Sequence, residues 1–180
     1  MNTERRLIVP AAQLQIILER LCEELVEQHG QFENTVLIGL QPRGTLLASR
    51  LHQILEKRIQ APIRFGVLDV TFYRDDFRRR DEPLIPSATH IDFSMEGKRV
   101  VLVDDVLFTG RTIRAGLDAL LDFGRPERVE LVVLVERLYT QEFPIQPDYC
   151  GRRVNTLAGE KVVVSWKETA EEDNIWIFSN

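Results

Sequence analysis

Apolar residues recur at helical spacing in three stretches of the chain. The first covers residues 11–28 and is followed by Gly30; its apolar positions are Leu14, Ile17, Leu21 and Leu25. The second runs from Thr45 to about residue 58, and the third covers residues 111–123. Each pattern predicts a helix that packs one face against a core.

Short runs of apolar residues alternate with these helices. They occur at residues 36–40, 64–73, 100–103 and 129–135. Short runs that are apolar on both faces are typical of strands covered on both sides. The alternation predicts an α/β fold, with a mostly parallel central sheet flanked by helices and ligands bound at the carboxyl ends of the strands. Two later runs, KVVVSW and NIWIF, predict an antiparallel accessory pair.

Composition narrows the classes of protein that fit. A chain of 180 residues with 44% hydrophobic and 28% charged residues suits one domain over residues 1–180. The net charge of −5 excludes a protein-wide basic field, so contact with nucleic acid would need a local arginine patch. Cys22 and Cys150 lie far apart, which argues against a disulfide framework and a zinc site.

The hydrophobic pattern does not indicate a signal peptide or a membrane-spanning segment. The N-terminal residues MNTERRLIVPA lack the apolar core of a signal peptide. No stretch approaches the roughly 18 consecutive apolar residues of a membrane span. We therefore expect a cytoplasmic protein with no membrane partner.

The stretch VVLVDDVLFTGRT combines a strand with an unusual ending. Asp104 and Asp105 follow the apolar run, where carboxylates can accept hydrogen bonds from vicinal hydroxyls or hold a hydrated Mg²⁺. Gly110 then permits close approach of the backbone to a ligand, and two threonine hydroxyls stand at a helix N-terminus. Two sites side by side, one for hydroxyls and one for phosphate, suit a ribose 5-phosphate.

Two other protein classes carry part of this pattern. A response-regulator receiver also ends a strand in paired acids that bind Mg²⁺, but its pair lies near the N-terminus, whereas Asp104 lies past the midpoint of this chain. A P-loop nucleotidase needs GxxxxGK[ST], which the sequence lacks. No serine, cysteine or histidine constellation for nucleophilic catalysis is evident, and we assign no role to the three histidines.

The same stretch closely resembles the phosphoribosyl pyrophosphate (PRPP) signature of type I phosphoribosyltransferases, in which an apolar strand, paired acids and TGxT follow one another. TFYRDDFRRRDEPLIP, GRTIRAGLDALLDFGRP and FPIQPDYCGRRV are similar to the PyrR family of bifunctional pyrimidine-operon regulators and uracil phosphoribosyltransferases. The resemblance implies the type I fold with a small C-terminal hood, and conversion of uracil and PRPP to UMP and pyrophosphate with Mg²⁺. It also implies a homodimer or higher homo-oligomer.

The resemblance assigns roles to several residues. Asp104 and Asp105 would be catalytic, contacting the ribose hydroxyls and holding the metal directly or through PRPP. The 5-phosphate would be surrounded by Thr109, Gly110, Arg111 and Thr112. The PRG motif would hold the pyrophosphate, because Arg43 can reach it and Gly44 permits an unusual backbone.

A charged segment over residues 74–90 resembles the flexible lid of the family. Its arginine closes over the pyrophosphate and excludes water, and Arg74 is the residue we assign to that catalytic role. Arg78, Arg79 and Arg80 are further candidates, although such a run is also typical of a solvated loop. We expect the Arg74 side chain to be exposed in the absence of ligand.

Residues 136–156 would form the hood over the base, with Arg137, Tyr149 and Cys150 as candidate contacts. The family carries Asp-Arg-Gly followed by a basic stretch, whereas this chain has Glu136-Arg137-Leu138. The preference for a pyrimidine therefore rests on the resemblance alone. Tyr149 and Cys150 are equally compatible with packing inside the hood.

Members of this family also bind pyrimidine-operon messenger RNA. Their Thr, His and Arg on the first helix align here with Glu19, Cys22 and Gln28, and a late Lys aligns with Ala158. The remaining candidates for RNA contact are Arg20, Arg152, Arg153 and Thr156. Two functions stay open: an enzyme with UMP-dependent regulation, and an attenuation regulator that senses UMP or PRPP with little turnover. We expect RNA binding to be weak, altered or lost.

Overall fold

A computed structural model of the chain describes residues 4–75 and 87–179. Its strands and helices, in chain order, are β1 (Glu4–Val9), α1 (Ala11–His29), β2 (Thr35–Leu40), α2 (Gly44–Ile59), β3 (Arg64–Leu68), β4 (Arg99–Leu107), α3 (Arg111–Leu120), β5 (Arg128–Leu138), β6 (Tyr149–Asn155), β7 (Lys161–Ser165) and β8 (Asn174–Ser179). Short 3-10 helices lie at Thr71–Tyr73 and Leu121–Phe123. The three predicted helices are confirmed, the third ending earlier than expected in a 3-10 turn.

The central sheet has five parallel strands in the order β3-β2-β4-β5-β6. The predicted α/β architecture is confirmed. All six residues of β2 are buried, as expected for an inner strand covered on both faces. Because the strands are parallel, their carboxyl ends share one edge of the sheet, and the loops after β2, β3, β4 and β5 meet there.

Strand β4 is longer than the hydrophobic pattern predicted. It continues to Leu107, so Asp104 and Asp105 lie within the strand and not beyond its end. Asp104 pairs with Val133 and Val106 with Val135 on β5. Backbone pairing does not require apolar side chains, which is why the run of apolar letters underestimated the strand. The strand predicted over residues 64–73 is shorter than expected, since β3 ends at Leu68.

A separate antiparallel sheet, the accessory sheet, has the order β1-β8-β7. The pair predicted from KVVVSW and NIWIF is confirmed, and β1 joins it from the N-terminal region. The hood predicted over residues 136–156 is wrong in part, because residues 149–155 form β6, the edge strand of the central sheet. Polar and apolar residues are mixed along this edge strand, so the hydrophobic pattern did not predict it.

The core has one apolar layer on each face of the central sheet. Helices α1 and α2 and the accessory sheet share one layer, which includes Leu21, Cys22, Leu51 and Trp166. Helix α3 covers the other face through Ile113 and its neighbours. In the described ranges, none of the helices is long and apolar enough to cross a membrane.

Candidate active site

A cavity of about 460 Å³ opens at the carboxyl edge of the central sheet. Its walls come from the loop after β2, the segment after β3, the end of β4, the end of β5 and strand β7. This volume lies within the range typical of small-molecule sites. The parallel topology therefore brings residues from five separate parts of the chain to one cavity.

Asp104 and Asp105 lie side by side in the wall of this cavity and are 6% and 7% exposed. The Asp105 amide donates to Asp104 Oδ1 at 2.9 Å, and the Val106 amide donates to Asp105 Oδ1 at 2.7 Å. Burial, followed by the Asp105 carboxylate, raises the pKa of Asp104 well above its ordinary value. Burial also raises the pKa of Asp105, and the positive charge of Arg43 opposes it. The two carboxyl groups therefore suit a ligand that carries hydroxyl donors or positive charge.

Gly44 begins α2 directly against the acid pair. A Cβ atom at this position would lie 2.4 Å from the Val103 carbonyl oxygen and 2.9 Å from Asp104 Cα. Gly44 does not have a positive φ, so a left-handed backbone is not the reason for glycine at this position. What the glycine provides is space for the helix to approach β4. The adjacent Arg43 is exposed at the cavity and lies at the helix N-terminus.

The loop after β4 encloses a second space of about 100 Å³, bordered by Thr109, Gly110, Arg111 and Thr112. Gly110 has φ 87°, the left-handed conformation that favours glycine at this turn into α3. Asp104, Thr112 and Arg74 border both spaces, so the two adjoin each other. The predicted phosphate loop is therefore assembled beside the predicted hydroxyl site. Its binding of phosphate stays a prediction.

The Arg111 guanidinium is engaged by two carboxylates. It forms ion pairs with Asp75 and Glu142, and its Cζ lies 5.5 Å from the centre of the Phe143 ring. The hydrogen bond to Glu142 is the main cause that raises the Arg111 pKa. In this conformation, phosphate binding by Arg111 would use its backbone N–H at the start of α3.

Arg74 contacts the phosphate loop directly. Its Nη1 donates to Thr112 Oγ1 at 2.8 Å, and the residue is half-buried. The expectation of an exposed side chain is wrong, because the preceding Tyr73 is held in place on both sides. Its hydroxyl donates to Asp122 in the 3-10 turn after α3, and its carbonyl oxygen accepts from Arg114 of α3. The rest of the predicted lid, including Arg78, Arg79 and Arg80, falls within residues 76–86, outside the described ranges.

The sequence and fold match known proteins closely. A model of the phosphoribosyl transferase domain matches residues 8–169. The Bifunctional protein PyrR of Bacillus subtilis is 39% identical over 180 residues, covering 98% of each chain. That of Caldicellulosiruptor bescii is 42% identical over 170 residues, covering 94% of this chain and 93% of the relative. The chain belongs to the PyrR family of phosphoribosyltransferases.

Solved structures support the fold independently. The hypoxanthine phosphoribosyltransferase of Trypanosoma cruzi matches with a TM-score of 0.72 over 96% of this chain and 95% of that one, at 15% identity. At that identity the likeness shows the fold alone. The resemblance to PyrR noted in the sequence is thus confirmed, and the carboxyl-edge cavity is the candidate active site of a PyrR family phosphoribosyltransferase.

Arg137 is the hood candidate that the structure places in this cavity. It is 6% exposed, its Nε donates to Thr156 Oγ1 at 3.0 Å, and its Cζ lies 4.0 Å from the Phe108 ring centre. Burial lowers its pKa. Lys161 and Val162 of β7 complete this wall, and neither was predicted from the sequence, since a lysine in a short strand carries no signal of a site.

Tyr149 does not border the cavity, so its assignment to the hood is wrong. Its hydroxyl donates to Glu130 Oε2 at 2.8 Å, and the same oxygen lies 2.9 Å from His29 Nε2. Because β6 is parallel to β5, its first residue lies nearer the amino end of the sheet, away from the cavity. Cys150 follows it in the strand and packs against the layer covered by α3.

The candidates for RNA contact lie on α1, on β6 and directly after β6. Arg20 pairs with Glu24 at 2.5 Å and donates to the Gly151 carbonyl oxygen at 2.7 Å. Arg152 and Arg153 are exposed, and Arg153 pairs with Glu136 at 2.8 Å. Thr156 instead supports Arg137. Contact with RNA stays a prediction for all of them.

Two of the three departures from the PyrR pattern on α1, Cys22 and Glu19, have a structural explanation. Cys22 is fully buried and belongs to the core, so it cannot contact a partner. Burial is the main cause that raises its pKa to about 12. Arg58 of α2 pairs with Glu19 at 2.6 Å and with Glu23 at 2.5 Å. Glu19 is thus part of an ion-paired surface between two helices.

Proposed function

We propose that this chain converts uracil and PRPP to UMP and pyrophosphate, with Asp104 and Asp105 at the reacting sugar. The observation that carries the proposal is the buried acid pair, which lies between the predicted phosphate loop and a wall lined partly by apolar side chains, at two adjoining cavities. A ligand with a phosphate, a polyhydroxyl ring and a flat base offers a matching group to each part.

The charges of the walls assign an orientation to the substrate. The 5-phosphate would lie against residues 109–112, and the ribose hydroxyls would donate to Asp104 and Asp105. Arg43 and Arg74 supply positive charge at the side of the cavity formed by the loops after β2 and β3, which suits the pyrophosphate. The base would then lie toward Phe108, Arg137 and Val162, where apolar side chains and hydrogen-bond donors line the wall.

The reaction would break the bond from C1 to the pyrophosphate oxygen, which keeps the electron pair, and form a bond from C1 to a ring nitrogen of uracil, whose proton passes to water or to the leaving pyrophosphate. Positive charge develops on the sugar, close to the two aspartates, and negative charge develops on the leaving group, close to Arg43 and Arg74. No side chain needs to act as a nucleophile. Catalysis would come from positioning and from electrostatic stabilisation of these charges.

The acid pair also fits a bound Mg²⁺, because hard cations prefer carboxylate oxygens. In the described ranges, no group of three or more His, Cys, Asp or Glu side chains could hold a metal. Asp104 and Asp105 would hold the ion, directly or through bound PRPP. When bound, the metal would neutralise charge on the leaving group.

A nucleobase assay tests the proposal. Turnover with PRPP and Mg²⁺ is measured with uracil, hypoxanthine, guanine and orotate, beside Asp105→Asn as the inactive control. Arg137 and Lys161 present hydrogen-bond donors, which match the carbonyl oxygens of uracil. We expect the highest kcat/KM with uracil. A higher value with a purine base would contradict the assignment of the substrate.

The alternative is a regulator that senses UMP or PRPP with little turnover and acts on pyrimidine-operon RNA. The exposed Arg152 and Arg153 on the edge strand β6 favour contact with a polyanion. Tight binding of UMP without measurable turnover of uracil would support this alternative. The cytoplasmic location and the homodimer or higher homo-oligomer belong to the same family-based proposal.

A further inference from the structure

Helix α2 holds the connection between β7 and β8 through one arginine. Arg50 Nε and Nη2 donate to the two Glu168 carboxylate oxygens at 3.0 and 2.7 Å. Its Nη1 and Nη2 donate to the two Asp173 oxygens at 2.6 and 2.8 Å. The guanidinium carbon also lies 4.7 Å from the centre of the Trp166 ring. One planar group thus contacts the beginning and the end of the connection.

The contact of Arg50 with Asp173 is better shielded from water than an ordinary surface ion pair, whereas the Glu168 side chain is 45% exposed. The side chain of Arg50 is 18% exposed and that of Asp173 is 14% exposed. Bidentate, charge-assisted hydrogen bonds of this kind also fix the orientation of both partners. Asp173 Oδ1 additionally accepts from the Lys167 amide at 2.8 Å, which ties the carboxylate to the backbone of the connection.

The connection leads directly to the wall of the cavity. Trp166 is the residue after β7, and Lys161, Val162 and Val163 of that strand border the cavity. At its other end, α2 begins at Gly44, in contact with Asp104. Arg50 is six residues further along the helix, about 9 Å at the usual rise. Arg50 therefore connects the part of the cavity wall that carries Asp104 and Asp105 to the part that β7 forms.

We propose that Arg50 is a positioning residue that sets the distance between β7 and the acid pair, and so determines the affinity for the base. The proposal rests on the proposed function, in which the base lies against β7. Arg50 itself does not border the cavity and would contact no substrate. Its loss would release β7 while leaving the phosphate loop of β4 and α3 in place.

Helix α2 offers a matched control. Arg58 also pairs with two carboxylates, Glu19 and Glu23, but these lie on α1 and do not contact the β7–β8 connection. Arg50→Gln and Arg58→Gln therefore remove the same type of interaction from the same helix. Only Arg50→Gln should change KM for uracil. Arg50→Lys keeps the positive charge but not the planar guanidinium, so it should restore part of the affinity for uracil that Arg50→Gln loses.

The test combines kinetics with hydrogen exchange at temperatures where circular dichroism shows each variant folded. In Arg50→Gln, we expect KM for uracil to rise about tenfold or more, because small displacements of a binding wall are costly. KM for PRPP should change less than about twofold, and amides of residues 161–165 should exchange faster. Arg58→Gln should match the wild type in all three. An unchanged KM for uracil in folded Arg50→Gln overturns the proposal.

The readouts separate this proposal from the proposed function. If the wild type does not turn over uracil, the proposed function fails, whereas exchange at residues 161–165 still reports whether Arg50 holds β7. Unchanged exchange in Arg50→Gln, with normal uracil turnover in the wild type, refutes the positioning role alone. If Arg50→Gln does not fold, Glu168→Gln removes one partner and should show the same changes to a smaller extent; no change would count against the proposal.

Discussion

Arg74 Nη1 donates a hydrogen bond to Thr112 Oγ1 at 2.8 Å, which joins the segment after β3 to the phosphate loop. Both residues border the large cavity and the smaller one beside it. A cation that we assign to the leaving group thus lies beside a hydroxyl that we assign to the 5-phosphate. Binding of PRPP at this point would engage both residues.

Arg74→Ala should lower kcat at least about tenfold, because a positive charge next to the leaving group stabilises the transition state. The melting temperature should change little, since single contacts near the surface contribute little to stability. Arg125→Ala is the control: it removes an exposed arginine that does not border either cavity. A large loss of stability with normal kcat would contradict the role of Arg74.

Thr112→Val keeps the shape of the side chain and removes its hydroxyl. If that hydroxyl binds the 5-phosphate, the affinity for UMP should fall about tenfold, the value of one charge-assisted hydrogen bond. Calorimetry with UMP measures the change, and Asp105→Asn should also weaken binding. Thr35→Val, which removes a buried hydroxyl at the amino end of β2, outside both cavities, should bind UMP normally. Unchanged affinity in both Thr112→Val and Asp105→Asn would show that UMP does not bind at this loop.

Asp104→Asn should stabilise the protein in a pH-dependent way. The pKa of Asp104 in the folded protein is raised above 3.8, so the folded state binds the proton more tightly than the unfolded chain. Stability is therefore lost as pH rises from the unfolded pKa through the folded one. Each unit of difference corresponds to roughly 1.4 kcal/mol. Asparagine cannot ionise, so the melting temperature should rise at pH 8 and match the wild type near pH 3.

The control for this pH effect is Asp92→Asn, which changes an exposed carboxylate away from the cavity. Its melting temperature should follow that of the wild type across the same pH range. Equal gains for Asp104→Asn at pH 8 and pH 3 would show that the effect does not come from ionisation.

Tyr149→Phe should lower the free energy of unfolding by about 1–3 kcal/mol, because it leaves the buried Glu130 carboxylate without one of its donors. KM for uracil should not change, since Tyr149 lies outside the cavity. Urea denaturation and kinetics on the same preparation measure both quantities. Tyr139→Phe, at an 88% exposed position, should alter neither. A raised KM with normal stability would restore Tyr149 to the base site.

Binding to a pyrimidine-operon leader RNA should be micromolar or weaker and insensitive to UMP. Cys22 is buried, Glu19 carries a negative charge, and the Arg20 guanidinium is hydrogen-bonded within the protein. Binding of this kind comes mainly from phosphate contacts and falls steeply with salt. Filter binding at several salt concentrations measures it. Nanomolar, sequence-specific binding that UMP tightens and Arg20→Ala weakens would show that the regulatory function is intact.

Residues close together in the sequence allowed the main features of the site to be predicted. The strand, the acid pair and the phosphate loop lie within residues 100–112, so one short window contains both the apolar pattern and the turn chemistry. The three helices were predictable for the same reason, because helical spacing is visible within about four turns. Gly30, with φ 57°, ends α1 as its position in the sequence indicated.

Only the tertiary structure decided which distant segments meet. Lys161 reaches the cavity through the accessory sheet, and Tyr149 leaves it because β6 pairs in parallel with β5. Gly44 is required by the approach of α2 to β4, and Arg50 meets Asp173 across 123 positions of the chain. Such contacts depend on strand order, register and packing between elements. These properties arise from the whole chain and leave no periodic signal in a local window.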